Sequence, residues 1–330
     1  MKKTAQIAHS DLLARAAWTH EVDLIFLVGC PRSGTTWLQA MLAAHPAIYT
    51  GPETNFFEAF SQAEFIFQHT QERGIGLKAY LTPEAFQEII ADLFWRTISA
   101  LPEPSGKPQY FLEKTPQHCR YAPFILNTFP KARFIHLIRD GRAVVSSLLR
   151  VGRSWGEQWA PKNVVDATLR FWVDSVQAGR KIAELVTSPE QYIEIKYETL
   201  RSDTEAHLSK LLACLNLSAD DSFIRSVASA NSLNNRDASG AVFSSISQVS
   251  HLEQAASTIY PDGFFGPAPI NPDEFQLSLT ERLWVENLAG NLLQELGYPE
   301  LSRRLPFLEK VATTSVGVRM LRFLSRPRGS

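Results

Sequence analysis

Short apolar runs alternate with amphipathic stretches along this chain, and that alternation predicts a parallel sheet covered by helices on both faces. The strands it marks are Leu24 to Val28, Tyr110 to Leu112, Phe134 to Ile138 and Tyr192 to Ile195. Phe134, Ile135, Leu137 and Ile138 flank His136 in a nearly unbroken apolar run, as in a strand buried on both faces. Each run leads into a polar or charged loop, so the carboxyl ends of the strands converge on one crevice, where open α/β sheets take their ligands. Between Asp166 and Val186, Leu169, Trp172, Val173, Val176, Ile182 and Leu185 recur at three- and four-residue steps and predict a helix. Ser278 with Glu281 reads as the capping box of another, Leu283 to Leu296, stopped by Gly297 and Pro299.

These elements predict one domain over residues 1–300 with a P-loop-like α/β fold. Residues 56–108 read as a helical insertion beside the crevice, where it would shape access for an acceptor. Residues 229–272, rich in Ser, Asn, Gly and Pro, read as a long loop or lid. Residues 301–330 form a basic tail with scattered apolar residues. It could meet a membrane surface or a partner, although a surface helix with a frayed end is the plainer reading.

Composition narrows the function classes. In 330 residues, 45% hydrophobic content supports a substantial core and excludes disorder of the whole chain. A net charge of -1 gives no global field for nucleic acid or an anionic membrane, so cations for an anionic ligand must be placed locally. Cys30, Cys119 and Cys214 are odd in number and show neither paired nor metal-binding spacing, which fits a reducing compartment. The opening residues lack the apolar core of a signal peptide, and no run approaches the ~18 apolar residues of a transmembrane helix. A cytoplasmic protein without a metal is the expectation.

The chemistry is concentrated in LIFLVGCPRSGTTWL, Leu24 to Leu38: a buried strand, a Gly/Pro/Ser/Thr loop, then helix-compatible sequence. Backbone amides at such a turn, helped by the helix dipole, cradle phosphate. Gly34 permits close approach, Ser33, Thr35 and Thr36 add hydroxyls, and Arg32 offers a planar fork for phosphate or sulfuryl oxygens. The Gly-Lys-Ser/Thr of nucleotide triphosphatases is absent. Arg139 ends a later strand, and Ser147 follows it by eight residues, two turns into the next helix. Asp140 and Arg142 read there as a surface pair or a helix-starting cap.

With FIHLIRDGRAVVSS, Phe134 to Ser147, this loop resembles the sulfotransferases that use 3'-phosphoadenosine 5'-phosphosulfate (PAPS), especially those with tyrosylprotein- and Golgi-type motifs. The resemblance implies transfer of a sulfuryl group to an acceptor hydroxyl, leaving 3',5'-ADP. It implies that Arg139 and Ser147 hold the 3'-phosphate, that Trp37 lies near adenine and that Tyr197, in IKYETL, lies near the nucleotide. Glu53, 21 residues after Arg32, matches the general base of the tyrosylprotein enzymes, and Lys114, in EKTPQH, matches the lysine that neutralises the leaving oxygen. His118 competes with Glu53, because cytosolic members use a histidine two residues after their lysine, although here the spacing is four. The RKG loop of those members is absent, and Asn235-Arg236-Asp237 is a weak substitute.

The acceptor stays open among small molecule, glycan and peptide. Phe56, Phe57, Phe60, Trp155 and Trp159 could line its pocket or fill the core. Two other functions fit the same fold: a P-loop kinase of a small hydroxylated substrate, and a non-catalytic nucleotide-binding scaffold.

Overall fold

The computed structural model describes residues 16–69, 76–232, 269–271 and 274–300. Most of the expected lid and the whole basic tail lie outside the described residues. Five strands form one parallel sheet: β1 (Asp23–Gly29), β2 (Ile48–Thr50), β3 (Tyr110–Glu113), β4 (Arg133–Ile138) and β5 (Tyr192–Lys196), in the order β2-β3-β1-β4-β5. The pattern along the chain reveals four of them. β2, only three residues long, is the addition.

Period-two alternation in β1 sorts its side chains between two cores. Ile25 and Leu27 join Leu38, Met41 and Leu42 of α1 (Thr35–Ala43), together with residues of α8 (Tyr197–Ser202), α9 (Thr204–Cys214) and α10 (Asp221–Ala230). Phe26 and Val28 join Phe56, Phe57, Phe94, Ile125 and Ile182 on the other side. Those come from α2 (Phe56–His69), α3 (Pro83–Ile98), α4 (Ala122–Thr128) and α7 (Asp174–Leu185). The stretch expected as an insertion therefore supplies much of one layer. Phe56 and Phe57, 3% and 0% exposed, are core residues.

A third cluster joins Ile138 at the end of β4 to α5 (Gly141–Gly152), α6 (Val164–Asp166) and α11 (Leu279–Glu295). The helix expected from Asp166 begins at Val164 and passes through a π-helical stretch, Ala167–Val173, before α7. α11 carries the expected capping box of Ser278 and Glu281. Asp140 caps α5 by accepting from the Arg142 amide. Arg142 is not a surface residue: it is 0% exposed and paired with Asp140 at 2.6 Å and with Glu286 of α11 at 2.7 Å. Its two carboxylate partners offset the desolvation that burial imposes.

Candidate active site

The loop between β1 and α1 leaves an unusual set of donors unused. Arg32 takes a left-handed backbone conformation at φ 76°, and Gly34 at φ 97° forms the N-cap of α1 without offering a capping side chain. The first-turn amides of α1 are thus left for an external anion. A Cβ on Gly34 would lie 2.7 Å from two carbons of the Tyr197 ring, so glycine is required on steric as well as backbone grounds. Ser33 is buried, and its hydroxyl has no partner among the described residues.

β4 delivers Arg139 to the same place. Its Nη1 donates to the Arg32 carbonyl at 3.3 Å and its Nη2 to the Pro269 carbonyl at 3.0 Å, while its buried Nε has no partner among the described residues. The guanidinium carbon lies 4.4 Å from the centre of the Tyr197 ring, so Tyr197 supports both Arg139 and Gly34 from beneath. Ser147 Oγ accepts from Arg32 Nε at 3.2 Å and from Arg150 Nη2 at 3.5 Å. A cleft opens here, walled by Arg139, Ala143, Ser146, Ser147 and Arg150 and by Pro269, Glu274 and Gln276.

Burial pulls the Arg32 guanidinium down to about 10; Arg150 and Arg139 push the same way, and Glu53 opposes them. Burial also lowers Arg139 and Arg150. Three guanidinium groups crowded in a poorly solvated cleft repel one another, and a multiply charged anion relieves that repulsion. Arg150 belongs to this set by geometry. Its position three residues after Ser147 on α5 is the signal by which helical spacing could have found it.

Lys114 enters from the end of β3, 1% exposed, pairs with Glu53 Oε1 and donates to Thr36 Oγ1 at 3.2 Å. Glu53 keeps 40% of its side chain exposed. The loop hydroxyl, the lysine and the carboxylate therefore form one chain that ends at solvent. His118 is placed differently. It is 0% exposed in a short 3-10 turn, Pro116–Tyr121, with Nδ1 2.9 Å from Glu113 and its ring beside Phe26 and Phe57. Trp37 Nε1 donates to the Asn231 carbonyl at 2.8 Å, and its ring meets Tyr197 edge-on at 5.5 Å. Trp155 lies beside Arg32, 5.7 Å from guanidinium carbon to ring centre, and touches the exposed Trp159.

A parallel sheet, an uncapped helix start after β1 and a cationic cleft at the end of β4 define an anion-binding α/β protein. Residues 24–221 match the model of the sulfotransferase family, and the chain belongs to that family. Among curated proteins, the protein-tyrosine sulfotransferase of Drosophila melanogaster is 32% identical over 134 residues, 40% of this chain and 26% of that protein. Protein-tyrosine sulfotransferase 1 of Homo sapiens is 32% identical over 142 residues, 42% of this chain and 38% of its own length. The matches thus span well under half of those relatives. Two solved structures share the fold. The sulfotransferase domain from the curacin biosynthetic pathway has a TM-score of 0.52 at 17% identity, covering 85% of this chain and 99% of that one. Mouse sulfotransferase SULT7A1 complexed with PAP has a TM-score of 0.51 at 16% identity, covering 96% and 93%.

Proposed function

We propose that this chain transfers the sulfuryl group of PAPS to an acceptor hydroxyl. The observation that carries the reading is the joining of the two anion-binding elements: Arg139 donates to the Arg32 carbonyl at 3.3 Å, and Arg32 Nε donates to Ser147 at 3.2 Å. A nucleotide with phosphates at both ends of its ribose meets donors suited to each. The Ser33 hydroxyl and Arg139 Nε, without partners among the described residues, fit such an occupant. PAPS, when bound, supplies an activated sulfuryl group on its 5'-phosphate. The loop amides with Ser33, Thr35 and Thr36 hold the 5' end, and Arg139, Ser147 and Arg150 hold the 3'-phosphate. Trp37 and Tyr197 flank the nucleoside.

Glu53 removes the acceptor proton. Its partial exposure and its pairing with Lys114 support this role, and the complete burial of His118 among aromatic rings argues for Glu53 over the histidine. Lys114 and Arg32 supply fixed positive charge where negative charge develops. A kinase reading fits less well, because Thr35 stands where a triphosphatase loop carries lysine and Lys114 arrives from β3. A phenolic hydroxyl, as in a tyrosyl peptide, is the acceptor we put first. The relatives named above support it, as does Trp155 beside Arg32 with Trp159 against it. Cytoplasmic residence belongs to the same proposal, supported by three unpaired cysteines and testable by cell fractionation.

The test is incubation with ³⁵S-labelled PAPS and a tyrosyl peptide, following labelled product and 3',5'-ADP, alongside thermal shifts with 3',5'-ADP, ADP and ATP. Selective stabilisation by 3',5'-ADP with turnover is expected. Stabilisation by ATP with magnesium alone would overturn the reading in favour of a kinase, and selective 3',5'-ADP binding without turnover on peptide, phenol or glycan would leave a non-catalytic scaffold.

A further inference from the structure

The loop that carries Glu53 is anchored by a buried carboxylate to which the reaction above gives no role. Glu113 closes β3, one residue before Lys114, and is 1% exposed. Its Oε1 accepts from Thr54 Oγ1 at 2.8 Å, from the Thr54 amide at 3.3 Å and from Thr115 Oγ1 at 2.6 Å. Its Oε2 accepts from the Thr115 amide at 3.1 Å and from His118 Nδ1 at 2.9 Å. An ionised carboxylate only accepts, so Nδ1 of His118 carries the proton.

The donors come from two different segments. Thr54 follows Glu53, whereas Thr115 and His118 follow Lys114. Thr115 Oγ1 also accepts from the Asn55 amide at 3.2 Å, which holds Asn55 in a left-handed conformation at φ 48°. On the other side of Glu53, Gln39 Nε2 donates to Thr50 Oγ1 at 2.8 Å and to the Gly51 carbonyl at 3.0 Å, and Thr50 donates to the Leu112 carbonyl at 2.7 Å. Glu53 is therefore bracketed by two anchors on β3, the strand that leads directly into Lys114. A buried carboxylate is costly unless fully hydrogen-bonded, and this one spends its acceptors tying two loops together.

We propose that Glu113 is a positioning residue that holds Glu53 and Lys114 in register, so that the base and the charge-neutralising cation meet the reacting groups together. The inference rests on the roles proposed above for Glu53 and Lys114. Thr54 is its partner across the gap, and His118, buried on the far oxygen, fixes the rotamer of the carboxylate.

The experiment uses the full chain with ³⁵S-labelled PAPS and a tyrosyl peptide, comparing Glu113→Gln, Thr54→Ala and Thr54→Ser. An amide at position 113 must aim an NH₂ at a donor, so kcat should fall roughly 30- to 100-fold in Glu113→Gln and about 10-fold in Thr54→Ala. The KM for PAPS and the affinity for 3',5'-ADP should stay within about twofold, a split that general loosening of the fold would not produce. Thr54→Ser keeps the hydroxyl and should restore kcat to within about threefold of the unchanged chain. Should Glu113→Gln fail to fold, the contrast between Thr54→Ala and Thr54→Ser decides. A kcat unchanged in both Glu113→Gln and Thr54→Ala, or equal losses of kcat and of 3',5'-ADP affinity, overturns the positioning role alone. Absence of 3',5'-ADP binding by the unchanged chain overturns the functional reading, and this inference with it.

Discussion

Arg139 at the end of β4 donates to the main-chain carbonyl of Arg32, 107 residues earlier, at 3.3 Å. One guanidinium thereby fixes the loop after β1 and faces the cleft beside Ser147. With Nη1 and Nη2 each engaged by a carbonyl, Nε, which has no partner among the described residues, is a donor left for an anion. Arg139→Ala should weaken 3',5'-ADP roughly 10- to 100-fold, the worth of one or two hydrogen bonds to a charged group. ADP lacks the 3'-phosphate, so its weaker binding should change much less. Calorimetry with both nucleotides checks this, and equal losses would move the 3'-phosphate away from Arg139.

Arg150 sits one turn beyond Ser147 on α5 and shares its hydroxyl with Arg32. Its charge acts across the cleft and is screened by salt more than a buried contact would be. Arg150→Met should weaken 3',5'-ADP about 3- to 10-fold at low ionic strength, with the difference shrinking as salt rises. Titrations at two salt concentrations measure it. A loss independent of salt would mean that Arg150 acts through packing.

How legible the site was depends on how far apart its parts lie in the chain. The β1 loop could be read because strand, turn and helix start are contiguous in LIFLVGCPRSGTTWL, and the central strands because burial on both faces leaves unbroken apolar runs. β2 has three residues, with the partly exposed Tyr49 at its centre, too little for a periodic signal. Arg142 looks like a surface charge until α11 brings Glu286 to it from 144 residues away. Glu113 looks like the polar end of a strand, because the Thr54 that makes it an anchor lies 59 residues earlier. Contacts between distant segments, which no local pattern records, decided these cases.

Glu53 and Lys114 are joined as an ion pair in which the lysine is buried and the carboxylate reaches solvent. Glu53→Gln should lower turnover roughly 10²- to 10⁴-fold, the range for losing a positioned general base. Lys114→Met, which keeps the length of the side chain, should cost about 10²- to 10³-fold through the missing cation. Both variants should retain 3',5'-ADP binding, because Arg139, Ser147 and the loop amides are untouched. Steady-state rates with nucleotide binding measured in parallel test this, and near-normal turnover in either variant would remove that residue from the chemistry.

Gly34→Ala tests the support beneath the loop. The left-handed backbone at φ 97° costs a Cβ-bearing residue about 1–2 kcal/mol, and the new methyl would meet the Tyr197 ring at 2.7 Å. That ring is 2% exposed and carries Arg139 on its face, so it has little room to retreat. The melting temperature should fall by roughly 3–8 °C, and 3',5'-ADP affinity should fall with it as Arg139 is displaced. An alanine variant with unchanged melting and binding would show that the loop adapts without Tyr197.

Glu113 gives a pH dependence whose sign follows from its surroundings. Burial alone would raise its pKa, but the charge and hydrogen bond of His118, with bonds from Thr115 and Thr54, outweigh burial and hold it at about 2 against an ordinary 4.5. The folded state therefore binds this proton less readily than the unfolded chain does. Its stabilisation is fully present above pH 4.5 and is lost as pH falls from 4.5 through 2. Denaturant unfolding of the unchanged chain and of Glu113→Gln, at neutral pH and at steps below 4.5, should show a stability gap that narrows as acid protonates Glu113. Titratable groups remote from position 113 cancel from the comparison, whereas His118, in contact with it, contributes to the gap as its partner. A gap that stays constant down to the acid limit would show that the amide and the carboxylate differ only in packing, and that the charge at this position does not hold the two loops.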